Sequence, residues 1–387
     1  MEAYLDNAAT TMPFPEVREI MMETMESNYG NPSSLHQKGL DAEQYIRKAR
    51  EIIAKSMKVE PKEIVFTSGG TESNNQALIG AALANKRSGN HIITTKIEHA
   101  SVHNPLLFLE EQGYRISYIS VDKNGQVDIE ELLNTICEDT ILVSIMYVNN
   151  EIGTIEDIAT ISKLIKEKKK NVLFHVDAIQ AYGKFKIYPK RLGIDLMSVS
   201  GHKIHGPKGI GFLYIKDKTK INPYIYGGGQ QKGMRSGTEN VPGIAGLGKS
   251  VELIYKNQET KIEQLYTLKE YFIQKLKEID YVSVNGISGI DINETAPHVV
   301  SVTVEGIRSE VLLHALEEKG IYVSSGSACS SNHPSLSGTL RAIGLEKADV
   351  EGTIRFSFSV FTQKEELDYA IDAMKELIPM LRKYVRK

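Results

Sequence analysis

Tryptophan is absent from the 387 residues, and cysteine occurs only twice, at Cys137 and Cys329. Two distant thiols and no C-x-x-C exclude a disulfide scaffold, a cysteine-rich zinc site and a thioredoxin-type redox motif. No stretch of about 18 apolar residues occurs, so no helix is expected to span a membrane. The start, MEAYLDNAATT, lacks the basic and apolar regions of a signal peptide. These absences give the expectation of a cytoplasmic protein with reduced thiols. Charge of one sign is also missing, with a formal net charge of −3. That balance gives no global attraction to nucleic acid or to an anionic membrane. The basic runs Lys166, Lys168–Lys170 and Arg382, Lys383, Arg386, Lys387 read as solvated helix ends.

What is present is an ordinary enzyme composition, 41% hydrophobic and 25% charged, with 31 Gly and 12 Pro. From about Glu63, short β-rich runs alternate with helical patterns. EIVFTS (63–68), HIITTKI (91–97), YRISYISV (114–121), TILVSIMYV (140–148), VLFHVD (172–177), DLMSVSG (195–201) and GIGFLYI (209–215) read as strands. ILVSIMYV and VLFHV are apolar on both faces, as in a parallel sheet covered on both sides. The alternation predicts an α/β layered domain. Residues 243–279 read as one long helix. Beyond it lies a smaller α+β unit, ending in a helix whose capping box is Thr362 and Glu365. The expected division is an N-terminal segment 1–14 packing on the small unit, a large domain 15–255 and a small domain 256–387.

GIAGLGKS (243–250) satisfies the pattern of a nucleoside triphosphate loop, but a polar, Gly-rich stretch precedes it where a buried strand is required. It reads as the first turns of a helix. Four other segments carry chemistry. TSGGTESNN (67–75) lies at a strand-to-helix junction. Gly69 and Gly70 admit close backbone approach there, Thr71 adds a hydroxyl, and the helix start offers free N–H groups. In HVDAIQ (175–180), Asp177 ends an apolar strand, where open α/β sheets place ligands. In SVSGHKIHGPKGIG (198–211), Ser200, His202 and Lys203 follow another strand, and a desolvated lysine there becomes a nucleophile toward aldehydes. SSGSACSSNHPS (324–335) surrounds Cys329 with small residues and makes it a candidate nucleophile. Cys137, in LLNTICEDT, reads as a buried inert thiol. A phosphate cradle, a strand-end carboxylate and a strand-end lysine are the parts of a pyridoxal phosphate site.

YLDNAATT (4–11), NPSSLH (31–36), TSGGTESNN, EHASV (98–102), VNNEIG (148–153), HVDAIQ, SGHKIHGPKGIG, RSGTEN (235–240), SSGSAC (324–329) and IRFSFS (354–359) together resemble the successive motifs of cysteine desulfurases. The resemblance is to the NifS/IscS branch of the class V aminotransferase-like fold, a fold-type I pyridoxal phosphate enzyme. It covers nearly the whole chain in order. It implies that Lys203 holds pyridoxal phosphate covalently, with Asp177 on the pyridinium nitrogen and Gln180 on the ring phenolate oxygen. His99 would stack on the ring and help with proton transfer. Gly70, Thr71, Ser200 and His202 would bind the phosphate, joined by Thr238 from the other subunit of a homodimer. Asn150 and Arg355 would bind the carboxylate of L-cysteine. Cys329 would accept the sulfur on a mobile loop and pass it to an acceptor protein, with no resident metal and at most a transient iron–sulfur cluster on Cys329. GGTES (69–73) departs from relatives that have Ala for the second Gly. The chain stops at LRKYVRK, where housekeeping members often extend to dock a scaffold. An iron–sulfur scaffold and a tRNA-thiolation protein are therefore equal expectations as acceptor. An aminotransferase and a selenocysteine lyase on the same fold are the alternatives, and a cofactor-free binding protein is the third.

Overall fold

The structure, a computed structural model, describes residues 1–325 and 336–383. Thirteen strands occur among them: Ala3–Tyr4 (β1), Ile64–Thr67 (β2), His91–Thr95 (β3), Arg115–Ile119 (β4), Thr140–Met146 (β5), Leu173–Asp177 (β6), Leu196–Ser200 (β7), Gly211–Ile215 (β8), Val282–Val284 (β9), Val299–Val304 (β10), Ile321–Tyr322 (β11), Ser324–Ser325 (β12) and Thr353–Ser357 (β13). β2 to β8 form one sheet in the order β2-β8-β7-β6-β5-β3-β4, in which only β8 runs against its neighbours. The inner strand β5 is buried along its whole length, as its two-sided apolar pattern predicts.

Helices cover both faces of this sheet. On one, Ala77, Leu78, Ala81 and Ala82 of the helix Gly70–Asn85 pack with Leu106, Leu109, Leu142 and Leu213. On the other, the helices Gln37–Met57 and Ile158–Lys168 bury Ile46, Ile53, Ile161 and Ile165 against Phe66, Phe174 and Phe212. Each fully buried aliphatic or aromatic side chain of this kind contributes about 1.5–3 kcal/mol relative to exposure.

The strand directions position the site. β2, β6 and β7 are mutually parallel and end at one edge, where Asp177 pairs with Ser198 and Ser200 pairs with Gly211. The three loops that follow, 68–70, 178–180 and 201–203, therefore converge, as expected at the carboxyl edge of an open α/β sheet.

The second sheet is antiparallel, in the order β12-β13-β10-β9. Alternation along β13 puts Ile354 and Phe356 into the core of this unit and turns Arg355 and Ser357 to the other face. The N-terminal segment covers that face. β1 pairs in parallel with β11, Ala3 and Leu5 join the small-unit core, and Asn7 Nδ2 donates to the Ser357 carbonyl at 3.0 Å.

Three local expectations are corrected. The stretch 243–279 is two helices, Val241–Tyr255 and Gln258–Leu276, because Asn257 adopts a left-handed φ of 55° and breaks the hydrogen-bond ladder. The final helix is Lys364–Arg382, and its capping box is Gln363 with Glu366. Thr362 Oγ1 instead accepts from Ser359 N at 2.9 Å. Cys137 is exposed, with Arg115 Nη2 3.1 Å from its sulfur. Burial pushes this thiol up, but hydrogen bonds from Thr140 and Arg115 outweigh that and leave it below the ordinary value. GIAGLGKS lies inside the helix that begins at Val241. Its glycines serve packing: a Cβ on Gly248 would stand 2.7 Å from Ala49 Cβ.

Candidate active site

The three converging loops, the N-terminal segment and β13 enclose a cavity of about 760 Å³. Gly70, Thr71, His99, Asn150, Asp177, Gln180, Ser200, His202, Lys203 and Arg355 all line it. The sequence expectations thus come together, with two exceptions. Thr238 is exposed and does not line this cavity. Cys329 lies outside the described residues. The described residues that flank its segment, Ser324, Ser325, Leu336 and Ser337, do line the cavity.

Lys203 ends a single 3₁₀ turn directly after β7. Its Nζ donates to the Ala8 and Ala9 carbonyls at 2.6 and 2.7 Å. Lys184 Nζ in turn donates to the Lys203 carbonyl at 2.8 Å. Burial and the nearby Lys203 charge hold the Lys184 ammonium down at about 7.

Asp177 closes β6 and is 4% exposed. Its Oδ1 accepts from Ile179 N at 3.0 Å and its Oδ2 from Asn74 Nδ2 at 2.8 Å. Burial pushes its carboxyl up against those hydrogen bonds and the nearby His99 and Lys203. His99 caps the helix Ala100–Glu111, its Nδ1 accepting from Ser101 N at 3.1 Å. Desolvation holds its imidazole below the ordinary value, opposed by Asp177 and aided by Lys203 and Arg355. His202, with Nδ1 3.2 Å from Thr10 Oγ1, is held down to about 4 by burial and nearby lysines.

Gln180 Nε2 donates to the Ala8 carbonyl at 2.9 Å, and His298 Nε2 lies 3.0 Å from Gln180 Oε1. Arg355 reaches from the small sheet. Its Nη1 donates to the Asn150 carbonyl and its Nη2 pairs with Asp6 Oδ1, both at 2.8 Å. Its buried Nε finds no partner among the described residues.

These residues fit pyridoxal phosphate. Asp177 is a buried carboxyl group at the end of β6, accepting from Ile179 N and Asn74 Nδ2, and a protonated ring nitrogen would give it a charged partner. Gly70 lets the chain pass close between Ile179 and Ser200 at the cavity wall, since a Cβ there would sit 2.2 Å from Ile179 Cδ1 and 3.5 Å from Ser200 Cβ. The helix beginning at Gly70 starts at the cavity wall, where Gly70 and Thr71 stand with Ser200 and His202, and a helix start is suited to a phosphate.

Several residues of the site were given no role from sequence. Asn74, Ser101, Asp6 and Glu151 stand inside quoted motifs, so their neighbourhood was visible and their partners were not. Glu98 is another: its Oε1 accepts from Thr95 Oγ1 and Met146 N, while its buried Oε2 has no partner among the described residues. Burial pushes its carboxyl up to about 8. His298, from the small unit, had no motif to mark it.

The description "aminotransferase class-V" matches residues 3–370. The chain is 44% identical to the cysteine desulfurase IscS of Dictyoglomus turgidum over 382 residues, covering 98% of this chain and 95% of that relative. Against the cysteine desulfurase IscS of Clostridium botulinum it is 43% identical, with the same coverage. A solved structure described as a NifS-like protein superposes with a TM-score of 0.92 at 37% identity, over 98% of this chain and 100% of that one. The chain belongs to the class-V aminotransferase family, on its NifS/IscS-type cysteine desulfurase branch.

Proposed function

We propose that this protein is a pyridoxal phosphate-dependent cysteine desulfurase, which converts L-cysteine to L-alanine and leaves the sulfur as a persulfide on Cys329. The observation that carries the reading is the convergence of Lys203, Asp177 and His99 on one cavity that Arg355 reaches from the second unit. Bound pyridoxal phosphate supplies an electrophilic carbon for the substrate amine and a protonated ring that stores the electron pair left at Cα.

The protein's own residues do the rest. Lys203 would hold the cofactor, and its amine would take the Cα proton of the substrate. Asp177 keeps the ring nitrogen protonated, and Gln180 donates to the phenolate oxygen. Gly70, Thr71, Ser200 and His202 hold the phosphate. His99, kept neutral by its setting, covers the ring and shuttles a proton. Asn150 and Arg355 orient the substrate carboxylate, and the charge on Arg355 is already directed by Asp6. Cys329 takes the sulfur: its thiolate forms the S–S bond as the substrate C–S bond breaks. Its small-residue setting, and the position of the flanking residues at the cavity wall, support this role.

The large unit, 15–255, would hold the cofactor, and the small unit, 256–387, would carry the thiol. The active form is a homodimer in this reading, with Thr238 completing the partner's phosphate site. A groove of about 810 Å³ beside the cavity, lined by Thr71, Leu83, Phe108, Tyr224 and Tyr226, is the face for the second copy. Leu83, Phe108, Tyr224 and Tyr226 are all exposed. No helix among the described residues is long and apolar enough to cross a membrane. A cytoplasmic enzyme serving an iron–sulfur scaffold or a tRNA-thiolation protein is the setting we infer.

The test is an anaerobic assay of cofactor-loaded protein with L-cysteine and a thiol reductant, measuring alanine and sulfide together. Equal amounts are expected, and Cys329→Ala should yield no protein persulfide. Alanine without sulfide, or persulfide formed by Cys329→Ala, would overturn the reading.

A further inference from the structure

The hydrogen bonds around Gln180 have a fixed polarity. The Ala8 carbonyl can only accept, so the atom of Gln180 facing it is the NH₂ group. Gln180 Oε1 therefore points at His298 and must accept a hydrogen bond from its Nε2–H, across 3.0 Å. This sets the imidazole of His298 as the Nε2–H tautomer and leaves Nδ1 as an acceptor. His298 is 1% exposed, and its Nδ1 has no hydrogen-bond partner among the described residues. A buried acceptor without a donor costs about 1–3 kcal/mol.

A donor is close by. A small cavity of about 20 Å³, lined by Asn7, Lys184, Lys203 and His298, opens beside the ring. That is room for one water, which needs two or more polar partners. Lys184 has one N–H committed to the Lys203 carbonyl, and it is the foremost charge acting on His298. A water in the cavity can accept from Lys184 and donate to His298 Nδ1.

We propose that His298 is a positioning residue for the cofactor site: backed by a buried water and Lys184, it fixes the Gln180 amide with its NH₂ toward Ala8 and the cavity. The same array ties Gln180 to the backbone of Lys203, because Lys184 serves both. Without His298, the Ala8 carbonyl alone would hold the amide against the orientation that turns its carbonyl oxygen toward an anionic ring oxygen. Fixing it removes the repulsive orientation. The inference rests on the proposed contact of Gln180 with the ring phenolate oxygen.

The test compares cofactor dissociation constants for the full-length protein, His298→Leu, His298→Gln, Gln180→Ala and the double variant. An unfolding midpoint for each cofactor-free protein is recorded alongside. His298→Leu should weaken cofactor binding by roughly threefold to tenfold, and His298→Gln, which keeps an N–H donor, should return it to within about twofold of the parent. In the Gln180→Ala background the His298→Leu effect should vanish. An undiminished effect there, or no rescue by His298→Gln, would reduce His298 to a packing residue. A silent Gln180→Ala would instead bring down the role proposed for Gln180, and this inference with it. A silent His298→Leu beside an impaired Gln180→Ala would overturn this inference alone. Nitrogen NMR of the cofactor-free protein tests the tautomer with no variant having to bind cofactor. The His298 Nδ1 signal, assigned by its loss in His298→Gln, should be unprotonated, and a protonated Nδ1 would overturn the assignment. A high-resolution crystal structure should show the water, and an empty cavity would remove Lys184 from the array.

Discussion

Replacing Glu98 by Gln should make the protein more stable in alkali and hardly change it in acid. In the folded protein burial raises this carboxyl from 4.5 to about 8, against hydrogen bonds from Met146 and Thr95 and with Asp177 and Glu156 adding to the rise. Between those values the unfolded chain is ionised while the folded one keeps its proton. Stability is therefore fully present below about pH 4.5 and is lost as pH rises through about 8. Each pH unit in that window costs about 1.4 kcal/mol. The whole window sets a ceiling of about 5 kcal/mol, and partial access of water to the cavity brings the expectation to about 3 kcal/mol. Gln keeps the acceptor used by Thr95 and Met146 and never ionises. Urea unfolding of the cofactor-free parent and variant at pH 5 and pH 8 reads the effect directly. The variant should gain about 3 kcal/mol on the parent between the two conditions. A difference that stays constant within about 0.5 kcal/mol would show that Glu98 ionises freely and would refute the burial argument.

Other outcomes follow from the same geometry. Arg355→Lys cannot keep both the Asp6 and Asn150 contacts, so KM for L-cysteine should rise about tenfold or more, with a smaller change in kcat. An unchanged KM would remove Arg355 from carboxylate binding. Gly70→Ala needs only the tip of the Ile179 side chain to turn aside, so thermal unfolding should change by less than about 1 kcal/mol, and a loss of about 3 kcal/mol or more would show that Ile179 cannot move. Cys137, exposed and facing Arg115, should alkylate faster than free cysteine at neutral pH in a Cys329→Ala background, as read by mass spectrometry. A rate at or below that of free cysteine would contradict the lowered thiol.

The convergence of Asp177 and Lys203 on one edge was legible because one ends an apolar strand and the other follows the next, and strand ends of a parallel sheet share one edge. The fold class was legible in β5 and β6 for the same reason: two-sided apolar runs separated by helical patterns admit few other arrangements. What escaped were contacts made by backbone and by distant chain. The Ala8 carbonyl that holds both Lys203 and Gln180 has no side chain to announce it. His298 reaches Gln180 across 118 positions, and no periodicity encodes such a distance. The break at Asn257 carries neither Gly nor Pro, so the apolar spacing ran through it unmarked. Cys137 follows a helix that already ends at Thr135, and its composition did not show that the chain there turns to solvent.

The N-terminal segment has a bearing on how the protein is made. Ala3 and Asn7 meet Ile321 and Ser357, while Ala8 and Ala9 hold Lys203. Residues 3–7 therefore lack their strand partners until more than three hundred later residues have been synthesised. The large sheet can form during that interval, but the lysine amine acquires its fixed setting only when the chain closes on itself. A chain lacking residues 321–357 would retain the strands of the large sheet but not the pairings that hold residues 3–7 beside it, and with them the setting of the Lys203 amine.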